Sequence, residues 1–477
     1  MADVRRFHQS KGGDSVISER VVSQVLLAAL HTGGDFSEVF AEDTYGSTIK
    51  MVNGSVEDGV SGRDFGVGIR IMQKNRCVYA YTNDASPANL LKVAREAAAA
   101  LADQQLIDAV VLNKTDVANI HLIRTYPQDV AKQRKVEIVR RAHNAASNYD
   151  SLISQITLGY FDQDQKVLIA NSDGLFVEDR RVRTRLMISA IASKDGEKQS
   201  GFYGPGRHMG FELFSELDIE EYAKEAARIA VTMVNAEHAP SRKMPVVIHN
   251  GFGGVIFHEA CGHSLEATSV AKGTSVFTDK IGQKIASDVV TAVDDGTIPN
   301  AWGSQNIDDE GNPCRRNLLI DKGVLTGYLI DKLNGRRMNA EATGSSRRQS
   351  YRQAPTSRMT NTFICDGQSS FDDIIRQTEY GLFAKYMGGG SVNPATGEFN
   401  FAVTEGYLIE NGQITQPVRG ATLIGRGADV LQKIDLVSNN LSRGQGMCGS
   451  ISGSIPTDVG QPTVRVSQLT VGGRKGE

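Results

Sequence analysis

Long amphipathic segments in the first half of the chain predict helices that alternate with strands. Residues 217–234 carry apolar side chains at helical spacing among alternating charges. An Ala-rich stretch at 88–101 follows Ser86-Pro87, a pair typical of a helix start, and a charged segment at 127–146 also begins with proline. Strand-like runs separated by turn residues lie between these helices, at 67–81, 152–160, 167–170 and 175–193. This half therefore predicts an α+β region.

The second half shows shorter strand-like pieces with frequent turns. Of the 49 glycines, 17 lie in residues 1–240 and 32 in residues 241–477. The pieces at 318–320 and 325–330 predict one hairpin, and those at 399–403, 407–409 and 414 onward predict another, with an Asn-Gly turn. A curled antiparallel sheet or barrel fits this pattern.

The predicted fold class is α+β, in two parts. An N-terminal α/β-type region, residues 1–240, packs helices on mostly antiparallel strands and has a weaker internal boundary near 112–127. A Gly-rich, β-barrel-like domain, residues 241–477, follows and carries the helix described below. The boundary rests on residues 238–245, where two prolines separate a predicted helix from a predicted strand.

Composition and charge exclude several classes of protein. The chain has 477 residues, of which 40% are hydrophobic and 22% charged, so it is not a disordered or coiled-coil protein. A net charge of −3 without a basic run disfavours nucleic-acid binding as a function. No apolar run is long enough to span a membrane, and residues 1–8 contain no apolar segment that resembles a signal peptide. We expect a cytoplasmic protein with reduced cysteines.

Two histidines and a glutamate lie within six positions directly after a predicted strand. A zinc peptidase needs two imidazoles on the metal and a neighbouring carboxylate that accepts a proton from water. His258, Glu259 and His263 supply these groups, but the histidines are five residues apart. At about 100° per residue, a regular helix would turn their side chains about 140° away from each other. We therefore predict a distorted helix, with a π-bulge beside Gly262.

Catalytic zinc typically takes a third protein ligand. Spacing alone leaves several candidates open, namely His249, Glu266, Asp294, Asp295, Cys77, Cys314, Cys365 and Cys448.

Many ordered motifs around these residues resemble the TldD/PmbA peptidase family, in particular its metal-bearing TldD branch. The resemblance covers most of the chain and is densest after residue 244. It includes His258-Glu259-Ala260, Gly262-His263 and Met447-Cys448-Gly449. The other matching stretches are 66–70, 172–174, 244–247, 273–277, 293–297, 307–311, 358–362, 388–390, 420–425, 459–463 and 469–473.

The resemblance implies a set of functional residues. His258, His263 and Cys448 are then ligands of Zn²⁺, and Glu259 is the general base. Cys261, between the histidines, is expected to be structural. Weaker candidates for contact with substrate or an oxyanion are Gly388, Gly389, Gly390, Tyr351, His249 and Arg358. The three glycines would form a sheet edge, or an adjoining loop, that holds an extended peptide.

The implied activity is zinc-dependent hydrolysis of unfolded or extended peptides inside a cavity shared by a dimer. The partner is either a second copy or a metal-free chain of the PmbA/TldE type. Two other functions stay open, a non-enzymatic regulator related to gyrase modulators and a zinc amidohydrolase acting on small amides. An intact set of metal ligands favours the peptidase over the regulator.

Overall fold

The computed structural model describes residues 16–101, 103–105, 107–393 and 396–474. Residues 1–8, on which the expected lack of a signal peptide rests, lie outside these ranges. The helices are α1 (Glu19–Ala29), α2 (Pro87–Ala98), α3 (Lys132–Ser147), α4 (Leu213–Glu216), α5 (Ile219–Val234), α6 (Val255–Ala260), α7 (Ala267–Val270), α8 (Lys332–Met338), α9 (Phe371–Arg376) and α10 (Gly427–Lys433). None of the described helices is both long and apolar enough to cross a membrane.

An eight-stranded sheet forms the centre of the N-terminal region. Its strands are β1 (Phe36–Val52), β2 (Ser55–Gln73), β3 (Arg76–Thr82), β4 (Asn113–Thr115), β5 (Ile153–Asn171), β6 (Leu175–Lys194), β7 (Glu197–Tyr203) and β8 (Gly206–Arg207). The order is β3-β2-β1-β5-β6-β4, with β7 and β8 also paired to β6. All pairs are antiparallel except β4 with β6.

Helices cover this sheet in two groups, of which α2, α3 and α5 match the predicted segments and α1 was not predicted. Buried residues of α3 and α5 pack on one end of the strands, and those of α1 and α2 pack on the other. The segment predicted at 217–234 starts its helix at Ile219, because the Asp218 carboxylate accepts a hydrogen bond from the Glu221 N–H and caps the first turn. Helices packed on mostly antiparallel strands are confirmed.

Two strand predictions in this region were wrong. The run at 67–81 is the end of β2 and most of β3, because Lys74, with φ of +54°, reverses the chain. The runs at 152–160 and 167–170 are one strand, β5, although polar residues separate them. Asp162 and Asp164 within it bind Lys135 and Arg180, each at 2.6 Å, so ion pairs satisfy the polar stretch without ending the strand.

The C-terminal region contains a five-stranded barrel. Its strands and their neighbours are β9 (Glu237–His238), β10 (Arg242–Ile248), β17 (Tyr380–Val392), β18 (Glu398–Glu410), β19 (Gln413–Arg419), β20 (Thr422–Arg426), β21 (Ile434–Val437) and β24 (Val464–Gly472). The order β17-β10-β24-β20-β18 closes because β17 also pairs with β18. Helix α6 contributes to the same core, so the predicted barrel-like domain carrying this helix is confirmed.

A second, six-stranded sheet lies beside the barrel. In spatial order its strands are β13 (Val324–Leu325), β12 (Arg316–Asp321), β11 (Ala292–Asp295), β16 (Asn361–Ile364), β23 (Gly453–Gln461) and β22 (Ser442–Ser450). A small sheet pairs β14 (Ser346–Arg347) with β15 (Thr356–Ser357). Parallel pairing of β16 with β23 joins the β22–β23 hairpin to one end of this sheet, with β22 as the edge strand.

The two predicted hairpins exist, with different strand lengths. The strand predicted at 325–330 is only Val324–Leu325. The pieces at 399–403 and 407–409 form one strand, β18, since the intervening Glu405 is buried and bound to Arg228 at 2.7 Å. Asn411 and Gly412 both have positive φ, as the predicted Asn-Gly turn requires.

Candidate metal centre

The helix that carries the two histidines is interrupted between them. Helix α6 ends at Ala260, Cys261 adopts φ of −127°, and a 3-10 helix spans Gly262–Leu265. The predicted departure from a regular helix is confirmed, but it is a change of helix type and not a π-bulge. The space at Gly262 is tight, because a Cβ there would lie 2.3 Å from Met359 Sδ. The break brings the His258 and His263 ring centroids to 5.1 Å.

Cys448 on β22 completes a compact set of three side chains. Its Sγ lies 3.2 Å from His258 Nε2 and 3.3 Å from His263 Nε2. The three ligand atoms all lie within 4.8 Å of one another. Among the third ligands that spacing left open, Cys448 is the one that the structure places against both rings. His249 instead contacts Thr463, and Asp294 accepts hydrogen bonds from Thr360 and Thr362.

The electrostatics of this set favour a metal-binding thiolate. Burial raises the pKa of the Cys448 thiol, but the imidazoles of His258 and His263 outweigh burial and bring that pKa to about 3. Burial lowers the pKa of the His263 imidazole, whereas Glu266 and Cys448 hold it well above its ordinary value. The thiolate is the form of cysteine that binds metals.

The donor set fits zinc. Zinc favours four-coordinate tetrahedral sites built from imidazole nitrogen and thiolate sulfur. Bonds of about 2.1 Å to nitrogen and about 2.3 Å to sulfur would place these donors about 3.6 Å apart. The measured separations of 3.2 and 3.3 Å between Cys448 Sγ and the two imidazole nitrogens are close to this value.

Two buried residues, Glu266 and Arg358, contact His263 and Cys448. The Glu266 Oε2 lies 3.1 Å from His263 Nδ1, and Arg358 Nη2 donates to the Cys448 carbonyl at 2.5 Å. Arg358 Nε also lies 4.0 Å from Glu266 Oε1. Sequence reasoning considered Glu266 as a ligand and Arg358 as a substrate contact, and it missed these supporting positions. The three-residue spacing from His263 to Glu266 is the sequence signal that could have revealed the contact between these two side chains.

The predicted general base lies beside this set. The Glu259 Oε2 is 3.8 Å from His263 Nε2, and the Glu259 side chain is 33% exposed. Partial exposure leaves room for water next to the carboxylate. Cys261 is buried, and burial raises the pKa of its thiol, so it stays protonated near neutral pH.

The other weaker candidates, the three glycines and Tyr351, belong to parts of the chain other than those that carry His258, His263 and Cys448. Gly388, Gly389 and Gly390 belong to strand β17, which pairs with β18 along this stretch and with β10 only at Leu382–Ala384. Tyr351 is buried against the N-terminal sheet. Its hydroxyl donates to Asp64 at 3.4 Å, and its N–H donates to Glu42 at 3.1 Å.

Changing Glu266 to glutamine should weaken metal binding without removing a ligand. The His263 ring would lose the anionic acceptor that fixes its orientation, and loss of such partners costs about 10- to 100-fold in metal affinity. Competition with a chromophoric chelator measures this change, and excess zinc should restore the metal content. The matched control is Glu341→Gln, which removes an exposed carboxylate. Equal zinc affinity in Glu266→Gln and Glu341→Gln would contradict the assigned role.

Comparison with known proteins identifies the family. Three models match successive parts of the chain: PmbA/TldA metallopeptidase domain 1 at residues 37–101, the central domain at 125–234 and the C-terminal domain at 241–473. The chain is 36% identical to the metalloprotease TldD homolog of Haemophilus influenzae, over 96% of this chain and 97% of that protein. It is 34% identical to the TldD homolog of Buchnera aphidicola from Acyrthosiphon pisum, over 92% and 93% of the two chains.

Solved structures share the fold at low sequence identity. TldE from Thermococcus kodakarensis superposes with a TM-score of 0.75 and 19% identity, over 93% of this chain and 97% of that one. A Thermotoga maritima protein described as a candidate modulator of a DNA gyrase gives 0.76 and 22%, over 92% and 96%. The domain models span most of the chain and the relatives match nearly end to end, so this chain belongs to the PmbA/TldD metallopeptidase family.

Proposed function

We propose that this chain is a zinc-dependent peptidase that hydrolyses unfolded or extended peptides in a cavity shared by a dimer. The observation that carries the proposal is the convergence of His258, His263 and Cys448 from distant parts of the chain, with Glu259 beside them. The relatives named metalloproteases support peptide-bond hydrolysis. In this proposal the C-terminal region, 241–477, carries the chemistry and the region 1–240 helps to wall the cavity.

Each side chain has a distinct task in the proposed reaction. His258, His263 and Cys448 would hold zinc, whose Lewis acidity polarises the scissile carbonyl and makes an attacking water more acidic. Glu259 accepts a proton from that water and returns it to the leaving amine. Glu266 keeps the His263 ring in place, while Arg358 holds the Cys448 backbone. Burial of His258 and Cys448 limits solvent around the reacting groups and strengthens their interactions.

The free side of β17 supports binding of an extended peptide. Beyond Ala384, β18 is the only described strand that pairs with β17. Gly389 is exposed, and a Cβ there would meet no atom within 4 Å. A peptide strand added at this edge would be held by its backbone, which gives little side-chain selectivity.

The β22–β23 hairpin supports the proposed dimer. Met447 and Ile451 are 53% and 79% exposed, whereas Cys448 between them is buried. Large apolar side chains exposed beside a reactive centre are typical of surfaces that a partner covers. We propose that a second copy or a metal-free PmbA/TldE-type chain covers them and encloses the site. A cytoplasmic location belongs to the same proposal.

Incubation of the purified protein with a chemically unfolded protein tests this function. We expect cleavage of the unfolded substrate but not of its folded form, loss of cleavage with a chelator and recovery with added zinc. Mass spectrometry of the products maps the cleaved bonds. A protein that holds no zinc and cannot acquire it would favour the regulator instead. Faster turnover of single-residue amides than of short peptides would favour the amidohydrolase.

A further inference from the structure

A cavity of about 300 Å³ lies between the N-terminal sheet and the C-terminal region. The side chains of Arg183 and Arg347 contribute to its wall, together with Trp302 and Gln305. Met447, which directly precedes Cys448, lines it as well. One wall is therefore the hairpin that carries the proposed sulfur ligand.

Two arginines of this cavity are buried without a carboxylate partner. Arg183 and Arg347 are 3% and 1% exposed, and no ion pair within 4.0 Å involves either of them among the described residues. By contrast, their neighbours Arg181 and Arg348 bind Asp309 at 2.6 Å and Glu38 at 2.7 Å. A buried charge without a counter-charge is costly, so a site that keeps two of them is arranged to receive an anion.

The hydrogen bonds of these two arginines go to neutral backbone carbonyls. Arg183 donates through Nε and Nη2 to the carbonyls of Trp302 and Ser304, at 3.0 and 3.1 Å. Arg347 donates through Nη1 and Nη2 to the carbonyls of Met359 and Pro456, at 2.6 and 2.8 Å. These bonds orient the guanidinium groups but do not neutralise their positive charge.

Unused polar atoms remain in the same wall. Arg347 Nε has no acceptor and Gln305 Oε1 has no donor among the described residues. Both side chains are more than nine-tenths buried. Behind the cavity surface, the wall therefore holds an unmet N–H donor on a cation and, separately, an unmet acceptor.

The nearby acidic groups do not cancel these charges. Asp309 accepts from Arg181 and from the Arg348 N–H, and Asp64 is bound to Arg352 at 2.6 Å. Glu42 also lines the cavity, and burial raises its pKa to about 7, so that near neutral pH it is only partly charged.

We infer that this cavity binds a carboxylate group of a peptide, with Arg183 and Arg347 as the cationic donors. Trp302, Met447 and Ile455 provide apolar surface for the attached residue. The choice of a peptide over a small acid rests on the proposed peptidase function. The shared chemistry is a carboxylate, either at the chain end or on an acidic side chain.

The only tryptophan of the chain, Trp302, reports directly on this cavity. Its fluorescence is followed while full-length Glu259→Gln protein is titrated with an unstructured peptide as the free acid, as the C-terminal amide, and as the amide with one internal glutamate. Sodium acetate and inorganic phosphate are titrated in parallel. We expect a saturable change, with a Kd about tenfold lower for either carboxylate-bearing peptide than for the plain amide.

The three peptide titrations identify the source of the carboxylate. Together with the acetate and phosphate titrations, they can also contradict the inference. Equal Kd values for all three peptides, or no saturable change, would rule out the site. Acetate or phosphate binding as tightly as the free-acid peptide would show a site for small anions instead. If the wild-type protein hydrolyses peptides but binding does not distinguish the free acid from the amide, only this inference is contradicted. If binding distinguishes the two but no peptide is hydrolysed, the proposed function is contradicted and the carboxylate site remains.

Substitution of the two arginines provides an independent check. In Arg183→Gln and Arg347→Gln, the free-acid peptide should bind only as well as the amide. Arg376→Gln, which removes an exposed arginine far from the cavity lining, should keep the full difference. Circular dichroism and thermal melting confirm that each variant is folded. If the arginine variants do not fold, the comparison of acid with amide on intact arginines decides the question.

Discussion

Changing Glu259 to glutamine is expected to slow peptide cleavage by about 10³-fold, within the range found for loss of a general base. Glutamine keeps the size of the side chain but cannot accept a proton from water. The Glu259 carboxylate lies 3.8 Å from His263 Nε2 and is not within hydrogen-bond distance of it, so zinc content should remain that of the wild-type protein. The rate is measured on an unfolded peptide, with zinc quantified in the same preparation.

Glu379→Gln serves as the matched control, because it makes the same chemical change at an exposed position. It should retain the wild-type rate. The Glu259→Gln protein should still bind peptide, so the loss should lie in kcat and not in KM. Cleavage by Glu259→Gln at the wild-type rate would show that another group acts as the base.

Replacing Cys448 with serine should remove both zinc and activity. Serine has nearly the same shape, but its hydroxyl stays protonated where the Cys448 thiol, with a pKa of about 3, is ionised. The remaining histidines would provide only two ligands, and catalytic zinc typically needs three. We expect zinc affinity to fall by more than about 100-fold, beyond the effect of losing a supporting partner, and activity to fall with it. Metal analysis after dialysis measures the first effect.

Cys261→Ala provides the comparison for Cys448→Ser. Cys261 lies in the chain between the two histidines and is buried with a protonated thiol, so its loss should leave bound zinc unchanged. Retention of one equivalent of zinc by Cys448→Ser would mean that the sulfur is not a ligand. Loss of zinc from Cys261→Ala, with Cys448→Ser unaffected, would point to the other thiol.

The sequence predicted features that depend on local pattern. The Asn411-Gly412 turn, the helices α2, α3 and α5 and the need for a distorted helix between His258 and His263 all follow from spacing and backbone preferences. Helices α1 and α4 were not predicted. Family resemblance supplied Cys448, which local pattern could not distinguish from other candidates. The pairing of β16 with β23 is non-local, and that pairing is what carries Cys448 to the two rings.

Other features required the three-dimensional structure. Strand β5 continues through Asp162 and Asp164 because Lys135 and Arg180, distant in the sequence, neutralise them. Gly262 at the helix break has no room for a side chain, because Met359 fills the space beside it. In each case the deciding partner comes from another element, so the pattern of the element itself does not reveal it.

The order of the ligands along the chain has a consequence for biosynthesis. A ribosome synthesises His258, Glu259 and His263 before Cys448, which lies on β22 and reaches the histidines through its pairing with β23. Proteins fold from the N-terminus as they emerge. On the proposed chemistry, a nascent chain that still lacks this hairpin therefore has no complete centre. Hydrolytic activity would then arise only after β22 and β23 have been made and have folded against the histidines.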